Sequence, residues 1–90
     1  MDKPIYRVEI AVQAQRQIRR LQPRLQERVL DRIAALGVES RPPGSVKLTG
    51  TDDLHRVRVG DYRVIYRIED DVFLVLVVSI GHRREVYRDF

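Results

Sequence analysis

The sequence predicts an α+β domain: an antiparallel β-sheet of about four strands with an N-terminal αα-hairpin packed on one face, in the order β-α-α-β-β-β. Three observations predict it. Apolar residues near the N-terminus switch from a period of two to a helical period, Pro23 divides the helical stretch, and from Leu54 onward the period returns to two with short turn signals between runs.

Ile5 to Ile10 sets Ile5, Arg7 and Glu9 on one side against Tyr6, Val8 and Ile10 on the other, which reads as the first strand. Ala11, Ala14, Ile18 and Leu21 then form one apolar stripe on a helix whose other face carries Gln13, Arg16, Arg19 and Arg20. Proline fits the first turn of a helix but not its interior, so Pro23 starts a second helix rather than bending the first. Leu25, Val29, Ile33 and Leu36 supply its stripe, and Gly37 reads as the helix stop. With almost no linker between them, the two helices should pair antiparallel.

Gly37 to Ser45, GVESRPPGS, is loop chemistry, and Val46 to Leu48 reads as a short edge strand. Val57 and Val59, then Tyr62, Val64, Tyr66 and Ile68, mark two alternating strands. The continuous apolar run Val72 to Val78 reads as a central strand covered on both faces, ended by Gly81.

Ninety residues make one domain, 1–90, which can bury roughly 60 to 65% of its unfolded surface. There is no cysteine, hence no disulfide framework and no thiolate zinc site. Two histidines and acids placed mainly at turns give little support to a metal, and no cofactor is expected. The start, MDKPIYRVEIAV, is neither a signal-peptide core nor a membrane span, so a cytoplasmic location without a membrane partner is the expectation.

The net charge is +4, and every one of the 17 basic side chains except Lys3 and Lys47 is arginine. Arginine favours planar, bidentate contact with phosphate, which suggests a polyanionic partner; a genome that writes Arg for Lys throughout would give the same composition.

Gly60-Asp61 between two alternating runs is a two-residue hairpin signal, Gly supplying a positive φ. It predicts a register: Val59 opposite Tyr62, Arg58 opposite Arg63, Val57 opposite Val64 and Arg56 opposite Ile65. Val57, Val59, Tyr62, Val64 and Tyr66 then share the core face, and Arg56, Arg58, Arg63 and Arg67 the other. Like charges directly opposite each other destabilise a sheet by a few tenths to about 1 kcal/mol. The arginine face admits two readings, a phosphate pocket whose guanidinium forks repel when empty and bind strongly when filled, or a solvated face interleaved with acids from elsewhere. In the final stretch, SIGHRREVYRDF, residues His82, Arg83, Arg84 and Tyr87 follow at the edge of the same sheet. A tyrosine there either stacks on a base, worth ~1 to 3 kcal/mol, or is an ordinary half-buried side chain.

The runs RVRVGDYRVIYRI and VFLVLVVSIGHRREVYR, with the helical hairpin before them, resemble the RelE branch of the RelE/ParE superfamily of toxin–antitoxin toxins over nearly the whole chain. The resemblance implies a ribosome-dependent, metal-independent endoribonuclease that cuts mRNA in the A site, the RNA's own 2′-OH attacking the adjacent phosphate. It implies that Arg63 contacts the scissile phosphate, that Arg83 stabilises the leaving side, and that Tyr87 stacks on or orients the target nucleotide. Arg56 and Arg58 stand where the best-known members have lysines, one of them proposed as the general base. Arginine, with a pKa above 12, is a poor proton acceptor. Arg58 is therefore assigned to charge stabilisation, and the base is Tyr87, His82 or no protein group; Arg56, His82 and Arg84 are assigned to RNA binding.

The implied partners are a cognate antitoxin, in a toxin–antitoxin hetero-oligomer, and the ribosome with its mRNA. Arg16, Arg20, Arg24 and Arg28 are candidates to dock on ribosomal RNA, although they could equally form a solvated helix face. Two alternatives stand beside this reading: a ParE-like inhibitor of DNA gyrase on the same fold, and an RNA-binding toxin remnant whose Lys-to-Arg exchanges have cost the chemistry.

Overall fold

The computed structural model describes residues 4–50 and 53–82. Strand β1 (Arg7–Ile10) leads into helices α1 (Val12–Arg19) and α2 (Pro23–Ala35). Strands β2 (Val46–Lys47), β3 (Leu54–Val59), β4 (Tyr62–Glu69) and β5 (Leu74–His82) follow. They form one sheet in the order β1-β5-β4-β3-β2, five strands where the sequence suggested about four. The sheet is mixed rather than wholly antiparallel, because β1 runs parallel to β5 with Arg7 beside Leu74 and Ile10 beside Val77. Parallel pairing needs a long crossover, which the helical hairpin supplies.

Both helices lie on one face of the sheet. Ala14 and Ile18 of α1 and Val29 and Ile33 of α2, with Leu36 just beyond, are buried against Val57, Val59, Val64, Tyr66, Ile68, Val75, Val77 and Ile80. Burial of one such aliphatic side chain is worth about 1.5 to 3 kcal/mol, so the predicted stripes largely determine how the helices seat. Pro23 occupies the first turn of α2 as expected. Gln26 secures the helix pair: its Nε2 donates to the carbonyl of Leu21 at 2.8 Å and, at 3.3 Å, to that of Arg19, the last residue of α1. Those carbonyls would otherwise lack an acceptor's partner at the helix end.

Gly37 follows α2, but not as a left-handed cap; the cap residue Leu36 is itself right-handed helical. Glycine is required there by close approach. A Cβ on it would stand 2.8 Å from the Tyr6 carbonyl oxygen and 3.0 Å from Val8 Cγ2, and its own carbonyl accepts the Tyr6 N–H at 2.8 Å.

The apolar run from Val72 divides differently from the expectation. Glu69 pairs with Leu74, so the four residues between must make the turn: Asp70–Val72 form a single 3₁₀ turn and Phe73 adopts φ 51°. Val72 and Phe73 are consequently 62% and 48% exposed. Strand β5 starts at Leu74 and continues through Gly81 and His82 instead of ending at Gly81. It lies inside the sheet, yet only one face is deeply covered; Leu74, Leu76 and Val78 on the other side are half-buried.

Between Ile65, beside Ser79, and Tyr66, beside Val77, the register shifts and Val78 is left over as a bulge. Past Val77, strand β1 has already turned into α1. There Gln17 of α1 replaces it, its Oε1 accepting the Ile80 N–H at 2.6 Å and the Ser79 hydroxyl at 3.4 Å.

Candidate nucleic-acid interface

The site is built on the β3–β4 hairpin. Gly60 and Asp61 form a two-residue turn with φ 60° at Gly60, a conformation glycine adopts without a Cβ penalty. The register is the predicted one: Val59 beside Tyr62, Arg58 beside Arg63, Val57 beside Val64, Arg56 beside Ile65. Alternation therefore sends Arg56, Arg58, Arg63 and Arg67 to the face away from the helices.

These four are not equally presented. Arg58 and Arg67 are exposed, whereas Arg56 and Arg63 are half-buried, with the Nε of Arg63 fully covered. The cover on this face is partly apolar. Ile65 and Leu54, partners of Arg56 and Arg67 across the hairpin, are buried with Leu48 and Val78 packed against them. A guanidinium held over such a floor is less free to move and is shielded on one side from water, which strengthens its attraction for an anion. The parity of Leu54 and Ile65 with the arginines was visible in the sequence and signals this second small core.

Arg58 and Arg63 are brought together as neighbours across two antiparallel strands, and Arg56 stands two residues along from Arg58 on the same face. His82 goes elsewhere. It pairs with Tyr62, while Gly81 is the neighbour of Arg63. Its ring meets that of Tyr62 edge-on with centroids 5.7 Å apart, on the side of the sheet that faces the helices. The geometry thus separates His82 from the Arg58–Arg63 face. Arg83, Arg84 and Tyr87 lie outside the described residues.

The helix arginines are dispersed. Arg16, Arg20 and Arg24 are exposed on or between the helices. Arg28 differs, since its Nη atoms lie 3.8 and 3.9 Å from the place a Cβ would take on Gly60, so the guanidinium sits over the hairpin turn.

The opposite end of the sheet is built around acids. Asp70 accepts from the Tyr6 hydroxyl at 2.5 Å and from Arg41 at 2.9 and 3.3 Å. The Arg41 and Tyr6 hydrogen bonds hold its carboxyl at about 2, well below the ordinary range, while Tyr6 is pushed up by the same bond. Nearby, Tyr66 donates to the Ser40 carbonyl at 2.8 Å and stacks on His55 with centroids 5.7 Å apart. Burial pushes the His55 imidazole down, and the Arg41 and Lys47 charges add to the effect. Basic hairpin and acid-rich turn therefore stand at opposite ends of β4.

A helical hairpin on one face of a five-stranded sheet is the fold this chain shares with small toxins of the RelE/ParE superfamily. A family model described as the ParE toxin of the type II toxin–antitoxin system, parDE, matches residues 8–87, and the chain belongs to this family. Within the superfamily it groups with the RelE branch. It is 34% identical over 89 residues to Toxin RelG of Mycobacterium tuberculosis, spanning 92% of this chain and 97% of that protein. Its fold is similar to the RelE–RelB complex of Pyrococcus horikoshii OT3, with TM-score 0.80, 31% identity, and coverage of 91% of this chain and 99% of the other. The isolated Escherichia coli RelE toxin is similar at TM-score 0.75 and 25% identity, with 93% of each chain covered. Among the described residues no helix is long and apolar enough to cross a membrane.

Proposed function

We propose that the protein is a ribosome-dependent endoribonuclease, the toxin of a type II toxin–antitoxin pair, that cleaves mRNA in the A site. The observation that carries the reading is the Arg58–Arg63 pair, two arginines directly opposite each other across β3 and β4, with Arg56 two residues along the strand from Arg58. Such a pair is poorly suited to stability and well suited to a phosphodiester whose charge rises in the transition state. In the reaction, the ribose 2′-oxygen attacks the adjacent phosphorus and gives up its proton to a base, the P–O5′ bond breaks, and the departing oxygen takes a proton. The products are a 2′,3′-cyclic phosphate and a 5′-OH. Arg63 holds a non-bridging oxygen, Arg58 stabilises the added charge, Arg83 supports the leaving side and Tyr87 orients the nucleotide.

Arg58 cannot serve as the base at neutral pH. The ring of His82 meets that of Tyr62, which favours Tyr87 or no protein group as the base in this reading. The partner in this reading is an antitoxin on a separate chain, which would cover the arginine face and the helical hairpin; the similar folds of Pyrococcus horikoshii and Mycobacterium tuberculosis are toxins in complex with antitoxins, which supports such a partner.

The test is to map 5′ ends on an mRNA translated in a purified ribosomal system with the protein added, beside Arg63→Ala, Arg83→Ala and a ribosome-free reaction. Cuts that need ribosomes, fall within A-site codons and disappear in both variants are expected; loss of one preorganised donor to a developing oxyanion costs about 10²- to 10³-fold. Folded protein that makes no cuts removes the reading. DNA gyrase inhibition is then the activity to assay, since the matching family model is named for the ParE toxin.

A further inference from the structure

Arg28 and Arg32 of α2, Arg58 of β3 and the turn residue Gly60 line one open groove of about 430 Å³, together with Asp31, Ala35 and Val59. Three arginines and a single acidic residue thus line one concavity. The ion pairs of the described residues join Arg7 to Glu9 and Arg41 to Asp70, and none involves Arg28, Arg32 or Arg58. Asp31, though it lines the same groove, forms no ion pair with them and offsets one of their three charges at most. Held together on rigid elements with no ion-pair partner among the described residues, these cations raise the local potential for an anion.

Strand pairing explains why Arg58 reaches this groove although its position belongs to the opposite face. Strand β2 pairs only with His55 and Arg56, so along Val57 to Val59 strand β3 is a sheet edge among the described residues. A long side chain at an edge can serve either face. Arg28 reaches the same hairpin tip, its Nη atoms 3.8 and 3.9 Å from the place a Cβ on Gly60 would take.

We propose that this groove is a second phosphate subsite, in which Arg28 and Arg32 bind one phosphodiester of the RNA strand whose neighbouring phosphate lies at Arg58 and Arg63. The strand then passes around the free edge of β3, with Arg58 shared between the two positions. This deepens the nuclease reading and rests on it for the identity of the strand. Asp31 opposes the site and sets its strength.

The experiment measures binding of a fluorescent 2′-O-methyl hexanucleotide, which lacks the attacking hydroxyl, by anisotropy across a salt series. The full chain, Arg28→Gln/Arg32→Gln and Asp31→Asn are compared. Glutamine keeps helix propensity, so the double variant should fold. Its affinity is expected to fall at least about tenfold, the size of one lost charge-assisted hydrogen bond. Its log–log salt slope should lose about 0.7, one phosphate's worth for single-stranded nucleic acid. Asp31→Asn should tighten binding about two- to fivefold, as removal of one surface charge allows, a gain that misfolding cannot imitate. Unchanged affinity and slope in the double variant, or no gain from Asp31→Asn, overturns the subsite. A double variant that stops cutting on ribosomes yet binds the hexanucleotide normally also overturns it while leaving the nuclease reading intact. A wild-type protein that never cuts, but whose binding responds as expected, keeps the subsite and removes the nuclease.

Discussion

Arg58 and Arg63 are direct neighbours across β3 and β4, one residue back from each side of the Gly60–Asp61 turn. The pairing places function and stability in opposition. Replacing Arg58 with threonine removes a like-charge contact and adds a β-branched residue suited to a strand. Arg58→Thr should therefore raise unfolding stability by a few tenths to about 1 kcal/mol in urea titration while weakening RNA binding. A variant that loses stability would show that the guanidinium pair is compensated within the protein.

Gly37→Ala should be severe for so small a change. The added methyl group meets a backbone oxygen at 2.8 Å and Val8 Cγ2 at 3.0 Å, and Tyr6 cannot retreat without breaking its 2.8 Å hydrogen bond to Gly37. Overpacking of this kind costs about 1 to 3 kcal/mol. The measurement is the shift in denaturation midpoint at constant m-value, and a shift near zero would mean that β1 slides freely along α2.

Much of this fold could be read from residue spacing because its signals are local. Pro23, the apolar stripes of both helices and the Gly60–Asp61 turn act over a few residues, and the turn alone fixes which arginines face each other. The parallel pairing of β1 with β5 could not be read in the same way, because it depends on where the chain returns after more than sixty residues. The same holds for Gly37, whose neighbours Tyr6 and Val8 are distant in sequence, so a position read as a helix stop turned out to be a contact point. Val72 and Phe73 misled because apolar character argues for a strand while the Glu69–Leu74 pairing demands a turn. At the site, strand parity placed Arg56, Arg58, Arg63 and Arg67 on one face, whereas the separation of His82 from them depends on the bulge at Val78 and the Tyr62 pairing. Arg28 was read with the other helix arginines as a candidate to dock on ribosomal RNA or as part of a solvated face, and nothing in the spacing linked it or Arg32 to the hairpin, because a groove between a helix and a distant turn leaves no periodic trace.

Tyr66 anchors the loop that follows α2. Its ring is buried in the core and its hydroxyl donates to the Ser40 carbonyl at 2.8 Å, itself in a residue only 9% exposed. Tyr66→Phe keeps the ring but leaves that carbonyl without its donor, at a cost of about 1 to 3 kcal/mol. Amide exchange around residues 38–41 should quicken more than exchange in β4. Uniform acceleration across both would mean that the hydroxyl supports the whole domain rather than the loop.

Acid should act on the protein in two stages. His55 has an imidazole pushed down by burial, so the unfolded chain takes up its proton more readily than the folded one. Its contribution is complete above the ordinary histidine value near 6.5 and is lost as pH falls below that toward the lowered folded value. Asp70, held at about 2 by Arg41 and Tyr6 against an ordinary 3.8, contributes above 3.8 and loses its contribution between 3.8 and about 2. Urea midpoints measured from pH 7.5 to 2.5 should fall first through the histidine range and again below pH 4. His55→Gln should remove the first step and Asp70→Asn should flatten the second. If the His55 variant keeps the full decline between pH 6.5 and 5, another group is responsible and the imidazole is not buried in its neutral form.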